Sequence, residues 1–127
     1  MKKILIVIAD YYEDISSSLL KSALKFIPKK NFIKVINVPG VFEIPVIISK
    51  NIKKYDGFIA LGCVIKGETP HFDFISSAST QAIMNLSVES KKPIGNGIIT
   101  CLNMKQAKTR GKKGKEAAKA VISVISQ

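Results

Sequence analysis

The chain has 127 residues, a length that fits one domain able to bury a core without disulfides or metals. Hydrophobic residues make up 46% of it, which excludes a disordered chain, and no apolar run reaches the roughly 18 residues a membrane span requires. The net charge is +11, yet all but one of the 20 cations are lysines, spread along the chain in short doublets such as Lys29-Lys30, Lys53-Lys54, Lys91-Lys92 and Lys112-Lys113. No aromatic residues interleave with a basic face to stack bases, so neither a nucleic acid nor a membrane is expected as a partner. The positive potential is still suited to drawing in an anionic substrate. Cys63 and Cys101 lie in or at the end of apolar segments and lack CxxC spacing. They read as buried thiols, with a catalytic Cys63 served by the single histidine as the alternative.

Residues 3–9 form a continuous apolar run, the mark of a strand covered on both faces. The lysines ahead of it resemble the start of a signal peptide, but the run is short, Asp10 and Glu13 follow, and there is no small-residue cleavage site. The protein is therefore expected in the cytoplasm. Helix-start residues at 14–18 precede Leu19, Leu20, Ala23, Leu24 and Ile27 at helical spacing, and Pro28 ends that helix. Residues 31–38 read as a second strand. Pro39-Gly40 is a turn, and 42–52 a helix with Pro45 in its first turn. A third strand is expected at 57–65 and a polar loop at 66–72. Asp73 is then read as the cap of a helix carrying Ala78, Ala82, Ile83, Leu86 and Val88. A fourth strand follows at 93–100. Asn103 caps a short helix to about residue 110, and the glycine-broken basic segment 111–114 leads into a last helix ending near 126.

Strands alternating with helices predict a single domain, residues 1–127, in the α/β class. The expected architecture is a flavodoxin-like three-layer sandwich around a mainly parallel four-stranded sheet. Ligands of such folds bind beyond the carboxyl ends of the strands. That rule points to the segments 10–14, 38–43, 66–72 and 100–103, and the unusual residues fall there.

His71 is the only histidine. By itself it is as well explained by packing as by chemistry, but its loop adds Gly67, which lets backbone N–H groups approach an anion, and the hydroxyl of Thr69. Histidine as a residue type changes charge near neutrality, which suits proton transfer beside such a site. Arg110 is the only arginine. In a chain that uses lysine almost everywhere, it is a candidate for two-pronged contact with phosphate, although an ordinary surface cation is the competing reading. Glu43, beside the Pro39-Gly40 turn, is suited to accepting hydrogen bonds from hydroxyls, or to serving as a helix-start acid. Tyr11 and Tyr12 follow the first strand, where a ring can stack on a flat heterocycle or simply pack. No metal cluster, phosphate-binding Gly-rich motif or dinucleotide fingerprint is present, and Gly95-Asn96-Gly97 within a strand is too short for a phosphate loop.

Taken together, the loops resemble lumazine synthases. The resemblance is carried by Pro39-Gly40-Val41-Phe42-Glu43-Ile44-Pro45 and by Ala60-Leu61-Gly62-Cys63-Val64-Ile65-Lys66-Gly67-Glu68-Thr69-Pro70-His71-Phe72-Asp73. Gly97-Ile98-Ile99-Thr100, Asn103 with Gln106-Ala107, Arg110, and Lys113-Gly114 with Glu116-Ala117-Ala118 follow in family order over nearly the whole chain. The resemblance implies condensation of 5-amino-6-(D-ribitylamino)uracil with 3,4-dihydroxy-2-butanone 4-phosphate in riboflavin biosynthesis, a transferase activity needing no metal or organic cofactor. It implies that Tyr11 stacks on the pyrimidine and that Val41, Phe42 and Glu43 line the ribityl pocket. Cys63, Val64 and Ile65 would meet the heterocycle mainly through backbone. Gly67, Glu68 and Thr69 would form the phosphate loop, His71 would transfer protons, and Arg110, with Lys113 nearby, would bind phosphate. It further implies a homopentamer as the minimum unit, with Arg110 and the Asn96 region facing a neighbour's loops. The departures are Glu68 for a small neutral residue, Asn96 for an aromatic, and a shorter segment between Arg110 and Lys113. The chain also starts at the first sheet strand, so an N-terminal extension pairing with a neighbour's sheet is not expected.

Overall fold

The computed structural model describes residues 1–67 and 71–127. Four strands, β1 (Lys3–Ala9), β2 (Phe32–Val38), β3 (Gly57–Ile65) and β4 (Ile94–Cys101), form one sheet in the order β2-β1-β3-β4. All three pairings are parallel, β1 running beside β2 from Lys3↔Phe32 and beside β3 from Ile4↔Gly57, and β3 beside β4 from Phe58↔Ile94. Five helices connect and cover them: α1 (Glu13–Phe26), α2 (Ile44–Lys50), α3 (His71–Ser90), α4 (Met104–Lys108) and α5 (Lys113–Ile125). This is the expected three-layer α/β sandwich.

The period of two along a strand divides the core. On β1, Ile4, Ile6 and Ile8 face the layer of α1 and α5, where they meet Leu19, Ala23, Ala118 and Val121. Leu5, Val7 and Ala9 face the opposite layer and pack with Ile44, Ile48, Phe58 and Ile83. Both faces of β1 are thus buried, which is why the strand is an unbroken apolar run. β2 stands at an edge and alternates between half-buried and exposed positions. Gly95 on β4 has a packing reason: a Cβ there would run into the backbone carbonyl of Ala117, so only glycine lets α5 lie this close to the sheet.

Three boundaries differ from the sequence reading. The segment after the Pro39-Gly40 turn begins as a short 3-10 turn (Val41–Glu43) before α2, and α2 ends at Lys50, followed by turns through Lys54. His71 and Phe72 lie on α3, and Asp73 sits in its first turn rather than capping it. Lys113 and Gly114 belong to α5, so the second half of the glycine-broken basic segment is helix and only Gly111 and Lys112 form a turn. Asn103 caps α4 as expected, its Oδ1 accepting from the Gln106 N–H at 2.9 Å. Among the described residues, no helix is long and apolar enough to cross a membrane.

Candidate active site

The carboxyl ends of β1 and β3 open into a cavity of about 390 Å³. Its wall holds Tyr11 and Tyr12 from the turn after β1, Val41, Phe42 and Glu43 from the 3-10 turn, Cys63, Val64 and Ile65 from the end of β3, and His71 with Ile75 from α3. Nine of the residues singled out from the sequence therefore share one cavity, eight of them with roles that the resemblance implies, although they come from four separate segments. Parallel topology does this: each strand delivers its following loop to the same end of the sheet.

Local interactions hold these segments. The buried Ser16 hydroxyl donates to the Ala9 carbonyl at 2.6 Å, tying the first turn of α1 to the end of β1. Asn37 Nδ2 donates to Asp10 Oδ2 at 3.1 Å, joining the ends of β1 and β2 below the tyrosines. The Tyr11 and Tyr12 rings meet edge to face, with centroids 4.9 Å apart, and Tyr11 stays 75% exposed. Glu43 folds back over Gly40: a Cβ at Gly40 would lie 3.0 Å from Glu43 Oε1, so the glycine leaves room for the carboxylate. Phe42 is 63% exposed at the rim, with Val41 buried beneath it. The wall thus combines apolar surface, two tyrosine rings, one carboxylate and one imidazole, a set suited to holding a flat polar heterocycle with a hydroxylated chain.

Burial, and secondarily the neighbouring Cys101, pushes the Cys63 thiol up to about 12. At neutral pH Cys63 is a neutral thiol and a poor nucleophile, so the alternative of a catalytic cysteine falls away. Desolvation also raises the Tyr12 hydroxyl above its ordinary value, followed by the effects of Tyr11 and Cys63, so Tyr12 is a phenol there.

Asn96, Arg110 and Lys113 lie elsewhere. They line a second cavity of about 600 Å³ along the outer edge of β4, together with Thr80, Thr100, Thr109, Lys112 and Glu116. Arg110 Nη1 donates to the Thr100 carbonyl at 3.2 Å and lies 3.8 Å from Cys101 Sγ. Its backbone is set by α4: Gln106 Oε1 accepts from the Leu102 N–H at 2.8 Å, and the Arg110 N–H donates to the Ala107 carbonyl at 3.2 Å. Despite the short connection, Lys113 stays beside Arg110, its N–H donating to the Arg110 carbonyl at 3.1 Å. The two cavities share no lining residue. Gly67 is exposed, with open space around its Cα, and Glu68 and Thr69 lie outside the described residues.

The sequence reading passed over Ile75 and Lys112. Ile75 follows His71 by four positions, one helical turn, a spacing visible once α3 starts at His71. Lys112 was seen only as half of a lysine doublet. No group of three or more His, Cys, Asp or Glu among the described residues could hold a metal ion.

The model of the family described as 6,7-dimethyl-8-ribityllumazine synthase matches residues 1–127. The 6,7-dimethyl-8-ribityllumazine synthase of Bartonella tribocorum is 44% identical over 132 residues, covering 97% of this chain and 87% of that protein. The protein of the same name from Agrobacterium fabrum is 42% identical over 135 residues, covering 96% of this chain and 91% of its own length. The 6,7-dimethyl-8-ribityllumazine synthase 1 of Rhodopseudomonas palustris is 41% identical over 136 residues, with 97% and 83% covered. With a match from end to end and an α/β sheet that gathers the motif loops at one end, the chain belongs to the 6,7-dimethyl-8-ribityllumazine synthase family.

Proposed function

We propose that the chain condenses 5-amino-6-(D-ribitylamino)uracil with 3,4-dihydroxy-2-butanone 4-phosphate to 6,7-dimethyl-8-ribityllumazine, releasing phosphate and water, in riboflavin biosynthesis. The observation that carries this reading is the full-length family match combined with eight motif residues in one cavity. The steps are imine formation between the two substrates, loss of phosphate and ring closure. The imine joins substrate to substrate, so the protein needs no Schiff-base lysine. Its work is to hold the two molecules in reacting geometry and to move protons.

In this reading Tyr11 stacks on the pyrimidine and Glu43 accepts hydrogen bonds from the ribityl hydroxyls beside Val41 and Phe42. Backbone groups of residues 63–65 meet the edge of the heterocycle. His71, on the same wall as Glu43 and Ile65, relays protons at the reacting carbons. Arg110 and Lys113 receive the phosphate, completed by the loop of Gly67, Glu68 and Thr69.

The phosphate-binding cations and the heterocycle wall lie in different cavities of one chain, which favours a site shared between subunits. Helix α3 supports association. It is 20 residues long yet buries only Ser79 and Ile83, and it leaves Phe74 67% and Met84 59% exposed. A ring that places the β4 edge of one subunit against the cavity of the next satisfies every such contact, and a homopentamer is the closed form proposed here, in the cytoplasm. Mixing both substrates with the purified chain and following lumazine fluorescence tests the activity. A chain that binds the pyrimidine but forms no product is a binding protein instead.

A further inference from the structure

In the sequence the lysine doublets look scattered, and that scatter argued against a polyanionic partner. The topology gathers four of the five, the exception being Lys112-Lys113 at the start of α5. The doublets at 2–3, 29–30, 53–54 and 91–92 immediately precede or open β1, β2, β3 and β4, and every strand is parallel. All four therefore stand at the amino ends of the strands, opposite the cavity at the carboxyl ends of β1 and β3. Lys25 and Lys50, in the last turns of α1 and α2, end at the same face. Adjacent strands lie only ~4.8 Å apart, so the whole foot of the sheet spans roughly 15 Å.

The charge there is almost unopposed. Among the segments that build this foot, the side-chain carboxylates are Asp56 and Glu89, against ten lysines. One carboxylate is already engaged: Asp56 Oδ2 accepts from the Lys3 backbone N–H at 2.8 Å. The remaining acids of the described chain, including Asp10, Glu13, Asp14 and Glu43, belong to the carboxyl-end segments or the start of α5. Most of the chain's +11 thus resides at one pole. Seven of the eight lysines in these four doublets are exposed. The eighth, Lys92, is partly buried, and its Nζ donates to the Ile52 carbonyl at 2.6 Å.

The chemistry of this face separates two kinds of polyanion. It contains no arginine to fork onto phosphate, and its exposed aromatic, Phe32, already has the Lys3 ammonium over one side of its ring, 5.8 Å from the centroid. It does carry apolar surface among the lysines, with Phe32 45% and Val124, near the end of α5, 51% exposed. A compact lysine face dotted with apolar side chains fits the head-group layer of an anionic bilayer. We propose that the amino-end face of the sheet docks the protein on anionic lipid surfaces, with the cavity at the carboxyl ends of β1 and β3 turned away from the lipid.

The test is co-sedimentation of the full chain with vesicles containing about 30% phosphatidylglycerol in phosphatidylcholine, at low salt and again at about 0.5 M salt. Binding is expected to the anionic vesicles and not to pure phosphatidylcholine, and the added salt should abolish it. The quadruple variant Lys29→Glu/Lys30→Glu/Lys53→Glu/Lys54→Glu should lose at least ~100-fold in partitioning. A control at the other end, Lys105→Glu/Lys108→Glu, should lose far less, and both variants should keep the enzyme's turnover, which also reports that they fold. Absent binding to anionic vesicles overturns the proposal, as does an equal loss in the two variants. Tighter binding to duplex DNA than to vesicles at equal phosphate concentration also overturns it, by assigning the face to nucleic acid.

Discussion

Arg110→Lys separates the charge of the lone arginine from its shape. In the native chain Nη1 donates to the Thr100 carbonyl at 3.2 Å, and Arg110 lines the 600 Å³ cavity. A lysine keeps the charge, and Lys112 and Lys113 line the same cavity, so the long-range attraction for an anion hardly changes. What is lost is the forked contact and the carbonyl anchor. A charge-assisted hydrogen bond is worth ~1.5–3 kcal/mol, about 10- to 150-fold in affinity. Arg110 is exposed in the single chain, so the lower end of that range applies. The expected outcome is a roughly tenfold rise in KM for the phosphorylated butanone and a similar weakening of inhibition by inorganic phosphate. KM for the pyrimidine should stay within about threefold. The assay is steady-state lumazine fluorescence with each substrate varied in turn. Unchanged phosphate inhibition, or an equal rise in both KM values, would refute the reasoning, because it would place Arg110 outside the anion site or make it a prop for the whole fold.

Three further outcomes follow from the same geometry. His71→Gln should cut turnover by about 10- to 100-fold with pyrimidine binding kept, and an unchanged turnover number would remove His71 from proton transfer. Cys63→Ala should retain turnover within about threefold. The native thiol, pushed up to about 12, should resist iodoacetamide at pH 8 and react faster only as the pH climbs toward that value, whereas rapid alkylation at pH 8 would contradict its burial. Native mass spectrometry should find a pentamer as the smallest active species, and a fully active monomer would sink the shared-site reading.

Much of the fold was legible because each element announces itself locally. β3 is an apolar run with a glycine start, and its limits came out as Gly57–Ile65. α1 carries its buried Leu19 and Ala23 at helical spacing. The start of α3 was not legible, because an acid serves equally well as a cap or in the first turn, where the helix dipole also favours it. Asp73 proved to be the second kind. Placing a cap there pushed His71 into a loop and hid its one-turn partner Ile75.

The candidate site divides in the same way. That Tyr11, Glu43, Cys63 and His71 gather at one end follows from parallel strands alone, since every loop after a strand lands there. That Asn96 and Arg110 stand in a different cavity depends on β4 being the edge strand, and no local pattern in residues 94–101 states which strand ends the sheet. Gly95-Asn96-Gly97 is too short for a phosphate loop, and the reason for its glycines is tertiary: a Cβ at Gly95 would meet the Ala117 carbonyl of α5, and one at Gly97 the Leu61 side chain of β3. The convergence of four of the five lysine doublets is likewise a product of strand direction and invisible in linear order.

The most direct test of the central claim is a turnover experiment that counts both products. The purified chain is incubated with the ribitylaminouracil and the phosphorylated butanone, and lumazine fluorescence and released phosphate are followed together. Both should rise in step, at a rate proportional to protein and with no added metal or organic cofactor. Tight binding of the pyrimidine with neither product above the uncatalysed background would contradict it.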